Sequence, residues 1–428
     1  MKTRALFLAL CAAALTAPVS VSGQVEPVFD TTAQEDLLFP VRVDGEWGVV
    51  DASGTFVVPA EYQSVWIRSD GSIQLSKDGK AGVANGNGTV TIPFEFRYVS
   101  PFNGRDYTLA STGGDDVVID LESKVVLGPG FAGIRFFDQD RSFVVTDGRI
   151  EGVVTLDCEW VIKPGYKRIG LVQDNGLSRA EPKSNSVGYI DKAGKWVIRP
   201  NAKKFDRAYH FSDVGLAAAR SEGKWGFIAS SGEWMIDPFA DGPIWGPRFN
   251  GEPARAVVEI GGKKGMIAPD STFVIPAEYD RLSGMYNGAV VGSRDGKFGA
   301  FDANGNVIVP FEFKALGWFN TDGMASGTKD GRRISVDLAG KEYPLPKFEQ
   351  VGTFGQRTWA PAKRDGKWGA INNKGEWLLQ PQFDCVQQCY DDRISPPPPP
   401  SSIRASSGPS LKRLAKNSRQ QEWCRIDD

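Results

Sequence analysis

Residues 43–59, with the sequence VDGEWGVVDASGTFVVP, decide the fold because close copies of this stretch recur along the chain. Its first half returns as EGKWGFI at 222–228 and as DGKWGAIN at 365–372. Its second half returns as GEWMIDP at 232–238 and as GEWLLQP at 375–381. Because both halves recur in the same order, the whole stretch is predicted to be one unit of an internal repeat.

Weaker copies lie between these three at a regular spacing. The glycine of the Trp-Gly pair, or the residue in its place, stands at positions 48, 82, 117, 152, 188, 226, 265, 299, 334 and 369. Successive intervals are 34, 35, 35, 36, 38, 39, 34, 35 and 35 residues. Such a period predicts an array of about ten similar units over residues 38–389.

The turns within each copy predict its secondary structure. The turn between the second and third predicted strands begins with Asp or Asn and ends with Gly, as from Asp51 to Gly54. Ser123, Cys158 and Ser271 replace this glycine in other copies. A proline follows the next strand and is predicted to end it, because proline cannot donate to a ladder. Each copy is therefore predicted to be a three-stranded antiparallel meander plus a linker. The turn between the first and second predicted strands is an Asp-Gly pair, which is typical of tight hairpins, at 44–45, 78–79, 295–296, 330–331 and 365–366.

The fold class predicted from these units is all-β. One short meander cannot bury its own apolar face, so neighbouring copies must stack. The first choice is an open solenoid or spiral of three-stranded repeats. A closed, propeller-like ring is the alternative, which ten copies disfavour because common propellers hold fewer blades.

The chain resembles the WG-repeat (KWG) family over residues 38–389. The resemblance rests on three intact Trp-Gly pairs at 47–48, 225–226 and 368–369, on the Asp-x-x-Gly turns, on the Val/Ile-Pro strand ends and on Phe-x-x-Gly-x-Ala linkers. It implies a β-rich repeat module that mediates interactions and has no shared catalytic residues.

The N-terminus has the pattern of a secretory signal. Lys2 and Arg4 precede an apolar run over residues 5–17, and small residues continue to Gly23. We expect residues 1–23 to be a signal peptide, residues 24–37 to be an N-terminal linker, and the mature protein to be periplasmic or secreted. No later stretch is predicted to span a membrane.

The C-terminal residues 390–428 differ in composition from the array. Five prolines at 396–400 precede Ser-rich sequence, which predicts a Pro/Ser-rich disordered tail. Cys385 and Cys389 are four residues apart and form a possible disulfide. Whether Cys158 and Cys424 pair or stay free is left open.

Several functional classes are disfavoured by composition. His210 is the one histidine, so His-based zinc sites and Ser-His triads lack partners. A formal net charge of −2 without a basic stripe disfavours nucleic acid as a partner. No Asp-x-Asp-x-Asp-Gly calcium loop occurs, and most Asp residues begin turns. We therefore predict a protein without catalytic, cofactor-binding or metal-binding residues.

Candidate binding residues are those that depart from the repeat. Trp245, Trp318 and Trp359 lie off the repeated positions and are candidates for exposed contacts, and Arg248 lies in an insertion beside the first of them. The 38- and 39-residue intervals flank the copy at Gly226, and insertions in repeat arrays often mark the binding face. The remaining tryptophans recur at fixed positions, which favours core packing: Trp47, Trp225 and Trp368 in the second strand, and Trp160, Trp196, Trp234 and Trp377 in the third.

These observations predict a binding or scaffolding module for a protein or cell-envelope partner. A glycan-binding or glycan-active β-scaffold is one alternative, and it would require acidic residues converging in one groove. A structural spacer is the other.

Overall fold

The computed structural model describes residues 37–387, except 69, 139–140, 183–185, 201–204, 244–248, 250–252, 353 and 355–357. The predicted signal peptide, the predicted tail and all but the last residue of the predicted N-terminal linker lie outside these residues.

Every helix or strand in the described part of the chain is a β-strand, and the strands form ten four-stranded antiparallel sheets. We number the sheets as blades 1 to 10 in chain order. Blade 1 contains β1 (Phe39–Val43), β2 (Glu46–Val50) and β3 (Phe56–Tyr62), and blade 2 contains β4 (Ser64–Ile67), β5 (Ile73–Lys77), β6 (Lys80–Ala84) and β7 (Val90–Phe96). Blade 3 contains β8 (Tyr98–Val99), β9 (Tyr107–Ser111), β10 (Asp116–Asp120) and β11 (Val125–Leu127), and blade 4 contains β12 (Gly133–Phe136), β13 (Ser142–Thr146), β14 (Glu151–Thr155) and β15 (Trp160–Tyr166). Blade 5 contains β16 (Arg168–Val172), β17 (Ser178–Glu181), β18 (Gly188–Ile190) and β19 (Trp196–Ile198), and blade 6 contains β20 (Arg207–Ala208), β21 (Ala217–Ser221), β22 (Lys224–Ile228) and β23 (Trp234–Ala240). Blade 7 contains β24 (Gly242–Pro243), β25 (Ala256–Ile260), β26 (Lys263–Ile267) and β27 (Phe273–Tyr279), and blade 8 contains β28 (Arg281–Leu282), β29 (Ala289–Arg294), β30 (Lys297–Asp302) and β31 (Val307–Phe313). Blade 9 contains β32 (Ala315–Leu316), β33 (Met324–Lys329), β34 (Arg332–Asp337) and β35 (Glu342–Pro344), and blade 10 contains β36 (Gln350–Val351), β37 (Trp359–Arg364), β38 (Lys367–Asn372) and β39 (Trp377–Phe383).

The last strand, β40 (Cys385–Val386), closes the array into a ring. It pairs with β1 and thereby becomes the fourth strand of blade 1. The protein is thus a ten-bladed β-propeller. The predicted alternative of a propeller-like ring is confirmed, and the first choice of an open solenoid is wrong. We call the pairing of β40 with β1 the seam. It joins residues from opposite ends of the array, which the local repeat pattern does not reveal.

The core is divided among the blade interfaces. Of the ten clusters of buried apolar side chains, one has all its buried members in blade 10. The other nine each combine residues of two successive blades, and one of these nine joins blade 10 to blade 1. In that cluster Phe39 and Val41 of β1 are buried with Trp368 and Leu379 of blade 10. The seam therefore buries apolar surface as the other interfaces do, and this burial favours closure.

Each blade has four strands, where the sequence predicted three. The additional strand comes from the linker and is two residues long in seven blades, for example β20 and β28. In seven blades one residue separates it from the last strand of the preceding blade, as Asp280 separates β27 from β28. Two residues are too few to show an alternation of apolar and polar side chains, so this strand could not be predicted from the sequence.

The predicted turns are confirmed by the backbone. Both residues of the Asp44-Gly45 turn have positive φ, 50° and 91°, as a twisted two-residue hairpin requires. Ser123, Cys158 and Ser271, which replace the glycine of the second turn, adopt φ of 69°, 64° and 71°. The left-handed position is therefore kept even where the glycine is lost.

The repeated proline does not end its strand, contrary to the prediction. In seven blades the strand continues beyond the proline, as β3 continues beyond Pro59. The ladder shifts register there, because Val49 is opposite Val58 whereas Trp47 is opposite Tyr62. The proline thus occupies a bulge, where its missing N–H costs no ladder bond.

The glycine of the Trp-Gly pair is required by a close approach of the backbone at this bulge. A Cβ on Gly226 would lie 2.3 Å from the carbonyl oxygen of Ile236, and one on Gly369 would lie 2.3 Å from that of Leu379. In the blades that keep it, the glycine that defines the repeat therefore lets the last strand approach the preceding strand closely.

Acidic linker residues join successive blades. Asp280 accepts hydrogen bonds from Lys263 Nζ of blade 7 at 2.5 Å and from the Asp295 N–H of blade 8 at 3.0 Å. Asp241 makes the equivalent bonds to Lys224 of blade 6 and to the Gly261 N–H of blade 7. The lysine and the turn N–H lower the pKa of both carboxyl groups.

Candidate binding surfaces

The four predicted contact residues have different outcomes. Trp318 is 57% exposed, as predicted. Trp359 is only 5% exposed and packs on Phe39, with ring centroids 4.9 Å apart, so its prediction as an exposed contact is wrong. It begins β37 and faces the closed seam, an interface that the sequence did not reveal. Trp245 and Arg248 lie outside the described residues.

Trp318 forms an exposed stack with Tyr286. The ring centroids are 5.3 Å apart with an interplanar angle of 26°, and Tyr286 is 40% exposed. Tyr286 lies in the loop between β28 and β29, and Trp318 lies in the corresponding loop between β32 and β33. Two neighbouring blades therefore each contribute one ring to the same patch.

A hydrogen bond joins the two loops that carry these rings. Asn287 Nδ2 donates a hydrogen bond to the Phe319 carbonyl oxygen at 2.8 Å. Leu338, which is 37% exposed, lies against the second loop, since a Cβ on Gly323 would lie 2.9 Å from its Cδ1. We call the exposed side chains of Tyr286, Trp318 and Leu338 the aromatic surface.

Six of the seven repeated tryptophans pack against the core, as predicted, whereas Trp47 is half-buried and lies outside the apolar clusters, with the Arg42 guanidinium 5.8 Å from its ring centroid. Trp225 and Trp368 are 7% and 6% exposed and belong to clusters between blades. Trp160, Trp196, Trp234 and Trp377 are partly buried and pack against other such clusters. Repeated position thus indicates a structural role in this chain.

A cavity of about 510 Å³ lies between blades 5 and 6. Sequence reasoning missed it, although the 38-residue interval from Gly188 to Gly226 spans much of its wall. The histidine lies there, partly buried. The cavity is lined by Arg168, Arg179, Glu181, Val187, Asp206, Arg207, Ala208, Tyr209, His210 and Trp225.

Two ion pairs hold charged residues of this cavity in place. Arg179 Nη2 lies 2.7 Å from Glu181 Oε1, and its Nε donates to the Ala208 carbonyl oxygen at 2.8 Å. Asp206 accepts two hydrogen bonds from Arg220, at 3.0 and 2.6 Å, and these bonds lower the pKa of Asp206. Arg179 therefore links the two blades across the cavity.

In the described part of the chain, no group of three or more His, Cys, Asp or Glu side chains could hold a metal ion. Cys158 and Cys385 each take part in a disulfide. Cys389 lies outside the described residues, so the Cys385–Cys389 pairing stays a prediction.

No helix capable of crossing a bilayer was found among the residues described.

Several solved structures are similar to this chain, and the one that matches with a TM-score of 0.50 supports the fold. A structure described as the crystal structure of the eukaryotic initiation factor matches with a TM-score of 0.50 and 11% identity, over 80% of this chain and 99% of that one. The extracellular domain of the putative hybrid two-component system BT3049 from B. thetaiotaomicron matches at a TM-score of 0.26 and 7% identity, over 78% and 60% of the two chains. BamB from Moraxella catarrhalis matches at 0.27 and 12% identity, over 67% and 87%.

Comparison of the sequence with curated proteins gave no match. The family model for the WG containing repeat matches five times, at residues 47–80, 82–114, 188–225, 298–331 and 368–386. These matches include two of the three intact Trp-Gly pairs in full and begin in step with the repeat. The chain therefore contains repeats of the WG family, as the sequence predicted.

Proposed function

We propose that this protein is an exported, non-catalytic binding and scaffolding module that docks a protein partner on the aromatic surface. The observation that carries the proposal is the stack of Trp318 on Tyr286, with the two rings 57% and 40% exposed. Tyrosine and tryptophan are enriched among residues that dominate binding energy at protein interfaces.

The aromatic surface is fixed before a partner arrives. The Asn287–Phe319 hydrogen bond joins the loops that carry the rings, and the stack limits ring rotation. A surface ordered in advance loses less side-chain entropy on binding, which favours affinity.

A protein partner fits this surface better than a glycan does. Leu338 places an exposed aliphatic side chain against the two loops that carry the rings, where it would face the hydroxyl groups of a sugar. An apolar side chain of a protein would instead bury Leu338 and both rings together, and this burial is favourable.

Export is supported by two independent features. The N-terminal sequence has the charged, apolar and small-residue regions of a secretory signal. Cys158 and Cys385 are disulfide-bonded, as is typical of proteins in oxidising compartments. N-terminal sequencing of the protein recovered from a periplasmic or secreted fraction should begin at Gln24, and an intact Met1 would contradict export.

Binding is tested with residues 24–428 immobilised and exposed to solubilised envelope proteins, purified peptidoglycan and membrane vesicles. We expect saturable retention of a protein whose affinity falls about thirtyfold or more in Trp318→Ala, since hot-spot truncations cost ~2 kcal/mol or more. The matched control is Trp66→Ala, which removes a tryptophan that is 50% exposed in blade 2.

Each outcome distinguishes the candidate functions. Retention of a protein that both variants reduce equally would contradict the aromatic surface as the docking site. Retention on peptidoglycan that Trp318→Ala abolishes would favour a glycan-binding protein instead. The absence of retention on all three fractions would favour a structural spacer.

A further inference from the structure

Arg168 and Arg207 occupy the same position of the repeat in adjacent blades. Each is the first residue of the first strand of its blade, β16 or β20, and both are exposed at the cavity between blades 5 and 6. No other successive pair of blades has arginine at this position in both members. Two adjacent arginines at this position therefore occur only at the interface between blades 5 and 6 among the described strands.

We propose that this cavity binds an acidic sugar, a pyranose that carries a carboxylate. Arg168 and Arg207 bind the carboxylate, and Tyr209 supports the apolar face of the sugar ring. The site is separate from the aromatic surface and lies beyond the function proposed above.

The ion pairs at the cavity use Arg179 and Arg220 and leave Arg168 and Arg207 without an ion pair, although Arg207 acts through space on Asp206 and Arg168 on Glu151. Glu181 neutralises Arg179 at 2.7 Å, and Arg220 neutralises Asp206 through two hydrogen bonds. Neither Arg168 nor Arg207 forms an ion pair with any described residue. Guanidinium groups recognise carboxylates through paired, charge-assisted hydrogen bonds, so these two suit an anionic ligand.

Tyr209 provides a fixed aromatic platform. Its ring packs on Trp225, with centroids 5.3 Å apart and an interplanar angle of 34°, while the side chain remains 41% exposed. Trp225 is only 7% exposed, so it supports the ring from the core side. The Tyr189 hydroxyl donates to the Tyr209 carbonyl oxygen at 2.5 Å and fixes the backbone of the platform.

The remaining polar groups favour a sugar over a simple anion. Glu181 and Asp206 keep carboxylate oxygens that can accept hydrogen bonds from ligand hydroxyls, and inorganic phosphate offers few such donors. A volume of about 510 Å³ lies within the range typical of small-ligand sites.

Gly170 lies against His210, which lines this cavity. A Cβ on Gly170 would lie 2.5 Å from His210 Cε1, so the glycine lets the imidazole lie against β16.

Isothermal titration of the mature chain with methyl glucuronide, methyl glucoside and inorganic phosphate tests the proposal. We expect methyl glucuronide to bind, and its affinity to fall about tenfold in Arg207→Gln and in Arg168→Gln, because each loses a charge-assisted bond. Tyr209→Ala should weaken binding as well, and Trp318→Ala should leave it unchanged.

The matched control is Arg281→Gln, because Arg281 occupies the same position of blade 8 and is likewise exposed. It should bind methyl glucuronide as the unaltered protein does. Thermal denaturation of each variant separates loss of binding from loss of folding.

Three results would overturn the proposal. The first is equal affinity for methyl glucoside and methyl glucuronide. The second is tighter binding of phosphate than of the glucuronide. The third is the absence of glucuronide binding at about 10 mM, well above the affinities usual for small-ligand sites.

Discussion

The carboxylate of Asp384 accepts a hydrogen bond from the Asp44 N–H at 3.1 Å, although the two residues are 340 positions apart. The other oxygen of Asp384 accepts a bond from Lys367 Nζ at 2.7 Å. Asp241 and Asp280 make the same pair of contacts at interior interfaces. The seam is therefore joined by the contact that the repeat uses elsewhere.

Removing this contact at the seam should destabilise the ring more than removing it inside the array. Asp384→Asn weakens a bond between the two ends of the ring, whereas Asp241→Asn weakens one between blades that the chain already connects. We expect Asp384→Asn to lower the melting temperature by a few degrees, and Asp241→Asn to lower it less, as measured by calorimetry. Equal losses would show that the seam is not the weaker interface.

The same carboxyl groups make stability depend on acid pH. Lys224, Lys263 and Lys367 lower the pKa values of Asp241, Asp280 and Asp384 below the ordinary 3.8. A lowered folded-state pKa adds stability above the unfolded-state pKa, and this stability is lost as pH falls through the folded-state value.

Melting temperatures measured between about pH 5 and pH 2 test this dependence. We expect the unaltered protein to lose stability steeply over that range and the triple Asp→Asn variant to lose less. Parallel curves for the two proteins would contradict a role of these carboxylates in acid unfolding.

The glycine of the Trp-Gly pair should not tolerate a methyl group. Gly226→Ala places a Cβ 2.3 Å from a backbone oxygen of the neighbouring strand, which must move. We expect a loss of about 1–3 kcal/mol in the free energy of unfolding, measured by urea denaturation. The control is Gly114→Ala, where no atom lies within 4 Å of the added Cβ.

The predicted Cys385–Cys389 disulfide can be mapped by mass spectrometry of non-reduced peptides. We expect one cross-linked peptide to contain both residues. Cys389→Ser should then lower stability by about 2 kcal/mol, as chain entropy predicts for so short a loop. A cross-link from Cys385 to a different cysteine would contradict the pairing.

Local chemistry made much of the fold predictable from sequence. The Asp-Gly and Asx-x-x-Gly turns fix backbone angles within a few residues, so the number and spacing of the units could be derived. The two-residue first strands could not, because strands such as β28 carry too short a pattern and form only by pairing with the next strand.

Contacts between residues far apart in the sequence could not be predicted, for a different reason. The pairing of β40 with β1 depends on the accumulated rotation of ten blades, which no single copy encodes. The prediction for Trp359 was wrong for the same reason, because this side chain is buried at the seam against Phe39. Trp318 was correctly predicted to be exposed, but its partner Tyr286 lies in the linker of another copy, and the repeat pattern does not show which linkers contact each other.

Hydrogen exchange of the segment 384–387 tests the closed ring most directly. The Asp384 N–H donates to the Arg42 carbonyl oxygen at 3.1 Å, and the Gln387 N–H donates to that of Pro40 at 2.7 Å. A closed ring predicts that these two amides exchange far more slowly than in an unfolded peptide, and that deletion of residues 37–43 removes the protection. Exchange at the unfolded rate in the intact chain would contradict closure.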